Sequence, residues 1–426
     1  MRLVAWSERA TTIYAYLSVA ASPTHAAIEA TLREVVEALA PIERAPCSPG
    51  EREAVEWLAE RLRQVDGVEV ALEDEPSWGS FQPTLTGLGV AGMLAAALVL
   101  RGRRARGALL AAATLAGIVD EADNGPRILR RLVRRRRTTV NLIARAGEHK
   151  AEATLVVLAH HDAPKTGRLF DQTLQRRLYE GAPWLIERFK TPPPQWWLGL
   201  SGPLATLLGA IGGRRAGARV GLASGAIGTA LLADMWRSPT VAGANDNLSG
   251  VAAQVALAEL LAAEPVPGLR VLLVSCGAEE TLQDGIRAFM ASHREELAPE
   301  RTWFVNLDTV GSPHLVLLEA EGPVRMEYYA GPWLRDLLAE HAAHLGVELW
   351  RGYRARASTD SVIPHRAGYP IATLVSMTDW RAPANYHLPS DVPENLDYGT
   401  VRDATRLVFA VAVALARRAA QTPAAA

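Results

Sequence analysis

Cysteine is nearly absent from this sequence, with only Cys47 and Cys276 in 426 residues. Two cysteines cannot build a disulfide framework. Because Cys47 lies near a loop and Cys276 inside an apolar strand-like stretch, the sequence gives no support for a bond between them. A net charge is nearly absent too, since 45 basic and 46 acidic residues leave −1 at pH 7. Such a balance gives no reason to expect nucleic acid as a partner.

Two sequence signals are also missing. No G-x-S-x-G stretch occurs, which disfavours a serine hydrolase. The first 27 residues lack an apolar core with a cleavage-type flank, so we expect no secretory signal peptide. What the chain does have is an alternation of strand-like and helical stretches, which continues from Gly268 to a long helix predicted after Asn395. This alternation predicts an α/β sandwich with a largely parallel central sheet.

Two apolar insertions interrupt the alternation, each built as two apolar stretches around an arginine-rich tip. The first comprises 84–100 and 107–119 around "RGRRARG", and the second 196–211 and 220–235 around "GGRRAGAR". Each stretch is near or below the roughly 17 residues that span a bilayer, but tips this charged and stretches this apolar fit no amphipathic surface helix. With Trp196, Trp197 and Trp236 at the base of the second, they predict membrane hairpins that contact lipid through residues 84–119 and 196–235. The alternative is a pair of buried Ala-rich helices.

The arginines around the hairpins bear on orientation. Those at the tips favour cytoplasmic tips: Arg101, Arg103, Arg104, Arg106, Arg214, Arg215 and Arg219. A larger group at the base of the first hairpin outnumbers the arginines at that hairpin's own tip: Arg127, Arg130, Arg131, Arg134, Arg135, Arg136 and Arg137. With no signal to export the first 83 residues, we expect a catalytic domain that faces the cytoplasm. The stretch "RRLVRRRR" is then a segment beside anionic lipid head groups rather than a nucleic-acid site.

Polar residues that can bind metal stand at the ends of the predicted strands. His160, His161 and Asp162 end "TLVVLAHHD", Glu279 and Glu280 follow "VLLVSCGA", and Asp308 follows "TWFVNL". Asp246 opens a predicted amphipathic helix with Val251, Val255 and Ala258 on one face, and His387 follows the last strand. Singly, each residue is more often a turn, cap or surface residue. Because ligands bind at the carboxyl ends of strands in open α/β sheets, the joint pattern predicts a divalent metal site, with zinc the first candidate.

The order and wording of these motifs resemble a known family. "HHD" as H-x-D, "GANDNLSG", "EE" after a strand, "NLD" and "YHLPSD" resemble the co-catalytic dizinc aminopeptidases, with the related glutamate carboxypeptidases and glutaminyl cyclases. The resemblance covers about 24–83, 138–165 and 236–418, and it implies a three-layer sandwich with a mixed, largely parallel sheet. We expect a discontinuous peptidase domain in residues 1–83, 138–165 and 236–426. The remainder is one hairpin in 84–126, with a basic flank to 137, and a loop plus second hairpin in 166–235.

The resemblance also implies a role for each motif residue. Asp246 bridges two zinc ions, with His160 and Asp308 completing one site and Glu280 and His387 the other. Glu279 is the general base, and Asp162 orients His160 through its second ring nitrogen. His161 could replace His160, but only His160 has the H-x-D spacing. The implied activity is hydrolysis of peptides or related amides from one end, in the manner of an aminopeptidase. The alternatives are a glutaminyl-cyclase-like acyltransferase with one zinc, and a membrane scaffold with a silent fold, which the complete ligand set disfavours.

Two departures from the family pattern stand out. The separation of Asp162 and Asp246 is unusually long because the second hairpin lies between them. "STDS" (358–361) stands where many relatives have a His after the Asp, which leaves substrate contacts at Asp360 open. The sequence also predicts where the hairpins lie. If "VEVALEDE" pairs antiparallel with "TTVNLIARA", and that strand with "ATLVVLAHHD", both insertions leave the sheet edge that carries His160. The hairpins should then wall or roof the site.

Overall fold

The computed structural model describes residues 24–192 and 196–421. Residues 1–23, which the sequence assigns to the peptidase part, lie outside the described residues, as do 193–195 and 422–426. A mixed sheet of nine strands forms the centre. The strands are β1 (Glu69–Ser77), β2 (Arg137–Gly147), β3 (Thr154–His160), β4 (Arg270–Cys276), β5 (Thr302–Leu307), β6 (His314–Glu321), β7 (Glu327–Tyr328), β8 (Leu349–Ala355) and β9 (Ile371–Met377).

Helices surround this sheet, and four of them form the two predicted hairpins. The helices are α1 (His25–Leu39), α2 (Pro49–Arg63), α3 (Gln82–Leu100), α4 (Arg104–Ala122), α5 (Ile128–Val133), α6 (Thr173–Gly181), α7 (Pro183–Glu187), α8 (Trp197–Ile211), α9 (Arg215–Arg237), α10 (Ser249–Ala263), α11 (Asp284–His293), α12 (Pro332–Leu345), α13 (Val362–Arg366) and α14 (Tyr398–Gln421). Ser48 caps α2, since its Oγ accepts from the Glu51 backbone N–H at 3.1 Å.

The strand order along the sheet is β1-β2-β4-β3-β5-β9-β6-β7, with β8 beside β6. The four central strands β4, β3, β5 and β9 run parallel, and β1 pairs antiparallel with β2 as predicted. The predicted pairing of β2 with β3 is wrong, because β4 lies between them. Every residue of β3 is buried, and such strands belong between parallel neighbours rather than in a hairpin. Since β2 is antiparallel to β4, β1 and β3 still end at the same edge.

The two faces of the sheet carry separate apolar cores. Leu155 and Val157 of β3 join the core beneath α1, α2, α10, α12 and α14. Val156 and Leu158 point to the other face, where α11 packs. This alternation follows from the two-residue period of a strand, and it gives three layers of helix, sheet and helix. The predicted fold class is therefore confirmed.

One local prediction differs from the structure, and two strands were not predicted. The helix α10 is not amphipathic: it is buried on nearly all sides, because α1, α14 and the sheet enclose it. The strands β7 and β8 were not predicted. The first has only two residues, and β8 has the sequence "LWRGYRA", whose arginines and glycine conceal a strand pattern. The two cysteines are free, as predicted.

The hairpin helices α3, α4, α8 and α9 pack against one another as a four-helix bundle. Glycines allow α8 and α9 to approach closely: a Cβ on Gly202 would lie 3.0 Å from Gly225 Cα, and one on Gly217 would lie 2.7 Å from Gly209 Cα. Small residues at such crossings are typical of helices that pack within membranes. Among the described helices, α3 and α9 are long and apolar enough to cross a membrane.

Candidate metal centre

The carboxylate of Asp162 ties the end of β3 to the loop after β4. Its two oxygens accept from the backbone N–H groups of Glu279 at 3.1 Å and Glu280 at 3.0 Å. Oδ1 of the same carboxylate lies 3.4 Å from Nδ1 of His160. Asp162 therefore fixes the backbone of both glutamates and holds the His160 ring with its other nitrogen, Nε2, free to face the cluster.

His161, the spare ligand of the sequence analysis, faces elsewhere. Its Nδ1 lies 3.0 Å from Ser275 Oγ of β4, and His161 takes part in none of the groups of neighbouring acidic and imidazole ligands. Burial lowers the pKa of His161 to about 4. A neutral imidazole held by a serine is a structural residue in this position.

Asp246 lies in an irregular backbone segment between two asparagines. Gly243 before it has a φ of +61°, and a Cβ there would lie 2.4 Å from the Asp246 carbonyl oxygen. Only glycine fits so close an approach. Inside the Ala244–Leu248 segment, Asp246 and Asn247 have non-helical dihedral angles, and the peptide bond between them is cis.

The amides beside Asp246 anchor this segment to the loop after β5. Asn247 Nδ2 donates to the Leu307 carbonyl at 2.8 Å, and its Oδ1 accepts from Thr309 N at 3.1 Å. Asn245 Oδ1 accepts from Gly311 N at 2.8 Å. The crowding of amides around one carboxylate thus has a physical cause, because the amides satisfy buried backbone groups and the carboxylate stays available.

The structure brings the five predicted ligands into one buried cluster. Asp246 Oδ1 lies 3.2 Å from His160 Nε2, while Oδ2 lies 3.1 Å from His387 Nε2. Glu280 Oε1 lies 3.5 Å from the same His387 nitrogen. Three groups of possible ligand atoms result, each with all atoms within 4.8 Å of one another: His160, Asp246 and Asp308; Asp246, Glu280 and His387; and His160, Glu279 and Glu280. Asp246 belongs to the first two groups, whose members are the five predicted ligands, whereas the third includes the predicted base.

The cluster contains more buried acidic groups than nearby positive charges can balance, and the pKa values of its members are shifted accordingly. Burial raises the pKa of Glu280 well above its usual range and that of Asp308 to about 7. Burial alone would lower the pKa of His160, but the Asp162 and Asp246 carboxylates raise it well above the usual value. Each acid is buried against its neighbours. A bound cation would relieve this repulsion.

The donor set fits divalent zinc. His160 Nε2 is buried, and Asp246 Oδ1, 3.2 Å away, does not lie in hydrogen-bond geometry with it. Zinc ligands lie about 2.0–2.2 Å from the ion, so two ligand atoms on one ion are at most about 4.4 Å apart. Each of the first two groups has two carboxylates and one imidazole within nearly that spacing. Oxygen and nitrogen ligands of this kind suit zinc.

Glu279, the predicted base, is buried beside the ligands and has its own hydrogen-bonded support. Gln283 Nε2 donates to Glu279 Oε1 at 2.5 Å and to the Ser358 carbonyl at 2.9 Å. Ser358 Oγ in turn lies 2.9 Å from Asn124 Nδ2, which follows α4. Burial raises the pKa of Glu279 well above its usual range. A chain of amide and hydroxyl contacts therefore runs from the first hairpin to this carboxylate.

Sequence reasoning missed three residues that hold the cluster in place. Gln283 is one. Asp391, the last residue of "YHLPSD", accepts from the backbone N–H groups of Asn245 at 2.7 Å and Asp246 at 3.1 Å. Arg44 is fully buried and donates to the carbonyls of His161, Leu39, Ile42 and Ala242. Asp391 could have been found, because it lies inside a quoted motif, whereas Arg44 and Gln283 have no sequence signal.

Asp360, left open by the sequence, lies close to the cluster. Both of its oxygens are buried without a hydrogen-bond partner among the described residues. Burial raises its pKa to about 7. Asp360 belongs to none of the groups of possible ligand atoms.

Both hairpins cover this centre, as the strand order predicts. A single cavity is lined by Glu279, Glu280 and His387 on one side and by residues of α3, α4, α8 and α9 on the other. Phe170 and Tyr386 stand at the junction, each with its ring centroid 4.1 Å from that of His387. The helices α3 and α8 thus rise from the sheet edge at which β1 and β3 end.

Residues 227–412 match peptidase family M28. The match confirms the predicted resemblance, which is to hydrolases of the peptidase type. It includes Asp246, Glu279, Glu280, Asp308 and His387, whereas His160 and Asp162 precede it. No curated protein sequence matches the chain.

Solved structures share the fold at low sequence identity. A leucine aminopeptidase precursor from Bacteroides thetaiotaomicron has 14% identity over 90% of this chain and 96% of its own, with a TM-score of 0.53. A Zn-dependent exopeptidase from Parabacteroides distasonis has 14% identity over 90% of this chain and 97% of its own, also at 0.53. The Bacteroides thetaiotaomicron glutaminyl cyclase bound to N-acetylhistamine has 14% identity over 90% of this chain and 97% of its own, with a TM-score of 0.53. These similarities support the fold.

Proposed function

We propose that this protein is a metallo-exopeptidase of the aminopeptidase type that holds two zinc ions and hydrolyses peptide or related amide bonds. The observation that supports it most directly is the arrangement of Asp246, whose two oxygens face His160 and His387 separately. A carboxylate between two imidazoles, each with a further acid nearby, suits a pair of ions that share one ligand. In this proposal Asp308 completes the first site and Glu280 the second.

The chain's own residues would divide the remaining work. Bound zinc lowers the pKa of a water molecule and polarises a carbonyl group. Glu279 takes the proton from the water and passes it to the leaving amine, as a buried general base and acid. Gln283 holds the Glu279 carboxylate through its 2.5 Å hydrogen bond. Asp162 keeps His160 in a fixed orientation, which is the usual task of the carboxylate behind a ligating imidazole.

A glutaminyl-cyclase-like acyltransferase with one zinc is the alternative, since glutaminyl cyclases share the fold. Two observations favour hydrolysis with two ions. Both ligand groups lie together, and neither lacks a member. Peptides that begin with glutamine separate the two activities, because cyclisation releases ammonia and keeps the peptide length, whereas hydrolysis releases a free amino acid.

The direct test combines metal analysis with a peptide library. Purified protein loaded with zinc should contain about two ions per chain, and mass spectrometry should find peptides shortened by one residue at the amino end. Fully metal-loaded protein that shortens no peptide would contradict the proposal, as would accumulation of cyclised products alone. The substrate amide is the only partner that this proposal requires.

We further propose that the hairpins insert into a membrane. Only 39% and 22% of the most apolar stretches of α3 and α9 are buried, whereas the core helix of a soluble protein is mostly buried. Exposed apolar side chains such as Leu94 (56%) and Ile227 (59%) point outward from the bundle. Trp197 and Trp236 are exposed at its base, although Trp196 packs inward, 5.7 Å from Phe81.

Paired aspartate variants test membrane insertion. The double variant Leu94→Asp with Ile227→Asp places charges on the bundle surface and should release the protein from membranes, since a charge in hydrocarbon costs about 2.5–3.5 kcal/mol. The matched control is Leu174→Asp with Tyr328→Asp, which changes two exposed large side chains outside the hairpins and their basic flank. Equal fractionation of the two double variants would contradict insertion.

The cytoplasm-facing orientation remains part of this proposal, with a revised charge count. Arg127 forms a buried ion pair with Asp284, and Arg130 forms one with Glu121. These two arginines therefore do not count as free positive charges. The other arginines at the base of the first hairpin still outnumber the exposed arginines at its tip. Reporter fusions at the C-terminus and within a tip test the orientation, and an exported C-terminus would exclude it.

A further inference from the structure

The cavity over the metal centre extends far into the hairpin bundle. Its wall follows α9 from Met235 to Gly225. At 1.5 Å per helical residue this is about 15 Å. A water-sized sphere can be centred in ≈ 150 Å³ of the cavity, and the empty space reaches ≈ 1230 Å³ when the open mouth is included. A cavity of this length is deeper than the side chain of an ordinary amino acid requires.

The wall of the cavity is apolar wherever the bundle supplies it. Leu85, Ile118, Leu198 and Leu232 represent the four helices, and Thr229 is the one polar side chain from these helices that lines it. The polar residues Glu279, Glu280 and His387 line only the end next to the centre. The cavity therefore combines a catalytic end and an apolar end.

Glycines keep the apolar end open. Gly89, Gly199, Gly225 and Gly228 all line the cavity. A Cβ on Gly199 would meet no atom within 4 Å, and one on Gly225 would meet only Met93 Cγ, at 3.4 Å. Larger side chains at these two positions would fit the backbone and occupy the cavity. Their absence leaves room for a ligand.

We propose that this cavity binds a long apolar chain of the substrate, so that the hydrolysed amide carries such a chain next to the scissile bond. This inference rests on the proposed function, because it takes the amide to lie at Glu279 and the ligands. The occupant follows from continuity: one cavity joins the catalytic residues to the interior of helices whose outer surfaces are apolar. In the reaction the amide C–N bond breaks, the water oxygen forms the new C–O bond, and the amine leaves with a proton.

An apolar chain can come from two sources, a long side chain on the amino-terminal residue or a lipid attached to the amine that leaves. Two substrate series distinguish them. The first series consists of anilides of alanine, norleucine and 2-aminododecanoic acid. The second consists of alanine amides of methylamine, octylamine and hexadecylamine. Each buried methylene contributes about 0.8 kcal/mol, which corresponds to a factor of about four in kcat/KM.

The experiment uses the full-length, zinc-loaded protein in lipid nanodiscs. In at least one series, kcat/KM should rise about fourfold per added methylene until the cavity is full. Gly199→Phe, which fills the cavity, should lower the ratio of kcat/KM for the longest and shortest members at least tenfold. Because both kcat/KM values of the ratio come from the same variant, a general loss of active enzyme cancels. Gly225→Leu gives a second test from the opposite helix.

The matched control is Gly87→Phe. Gly87 is also helical, and a Cβ added to it would also meet no atom within 4 Å, but it is exposed on α3 and does not line the cavity. This variant should keep the wild-type ratio. A control ratio that falls as far as that of Gly199→Phe would overturn the assignment of the cavity.

The remaining outcomes separate this inference from the proposed function. If the wild type hydrolyses short amides without any preference for chain length, the inference is wrong and the proposed function stands. If no amide of either series is hydrolysed, the proposed function itself fails. A lipid that co-purifies with the wild type but not with Gly199→Phe, without a chain-length preference, would identify the cavity as a structural lipid site and also overturn the inference.

Discussion

Asp391 holds Asp246 by its backbone. Oδ2 of Asp391 accepts from the Asp246 N–H at 3.1 Å, and the other oxygen accepts from the preceding N–H of Asn245 at 2.7 Å. The side chain of Asp246 is thereby left for the two imidazoles. Because Asp391 follows His387 by four residues, one loop supplies both an imidazole and the support of the shared carboxylate.

Asp391→Asn should weaken metal binding, since an amide offers one oxygen where the carboxylate offers two. Loss of an outer hydrogen bond behind a metal ligand commonly costs 10–100-fold in affinity or activity. Zinc titration against a competing chelator measures this change. The control is Ser390→Ala, which removes an exposed hydroxyl that donates to Asn385 Oδ1 at 2.8 Å. Similar zinc affinities for the two variants would contradict the role of Asp391.

Glu279→Gln and Asp246→Ala should fail in different ways. The first removes the base while leaving the proposed ligands, so kcat should fall about 10²–10⁴-fold with the zinc content unchanged. The second removes the shared ligand, so zinc content should fall and thermal stability should become insensitive to EDTA. Metal analysis and calorimetry separate the two results. A Glu279→Gln enzyme with a near-normal rate would show that the base is misassigned.

The sequence predicts much of the centre because its ligands follow strands. His160 is the last residue of β3, whereas Glu280 follows β4 and Asp308 follows β5. Neighbouring parallel strands end at one edge of the sheet. Their meeting is therefore a consequence of strand direction and requires no knowledge of side-chain contacts. The fold class follows for the same reason, from the alternation of strands and helices. The metal-ligand roles stay predictions until an ion is measured.

What the sequence could not supply depends on contacts between distant segments. Arg44 lies in a loop after α1 but donates to the carbonyl of Ala242, nearly two hundred residues later. The order of β2, β4 and β3 depends on which apolar strand occupies the middle of the sheet. The short turn between β2 and β3 favours direct pairing of these two strands, but β4 lies between them. The helix α10 is likewise buried on all sides because of its neighbours in the fold. The spacing of its apolar residues indicates only one buried face, so the sequence pattern could not predict this burial.

Gln283→Leu should lower kcat without changing zinc content. The leucine keeps the size of the side chain but removes the N–H that holds Glu279 Oε1 at 2.5 Å. An unheld base is misplaced in a fraction of molecules, so we expect a loss of about tenfold in kcat with KM nearly constant. Steady-state kinetics check this split. Equal changes in kcat and KM, or lost zinc, would instead indicate a general structural defect.

Glu321 should make the stability of the metal-free protein fall as pH rises. Its carboxyl group is buried, and its Oε2 accepts from Thr359 N and Oγ1 at 2.8 and 3.0 Å. Burial raises its pKa from 4.5 to about 8. Between these values the folded protein keeps a proton that the unfolded chain has released.

The contribution of Glu321 to stability is therefore complete below pH 4.5 and disappears as pH rises through about 8. The difference is on the order of 5 kcal/mol. Glu321→Gln stays neutral at every pH and keeps an acceptor for Thr359, so its free energy of unfolding should fall less steeply. Urea unfolding in EDTA from about pH 5 to pH 9 measures both slopes. Burial raises the pKa of Glu51 to about 8 as well, so part of the slope should remain in the variant. Parallel curves for wild type and variant would show that Glu321 is ionised in the folded protein.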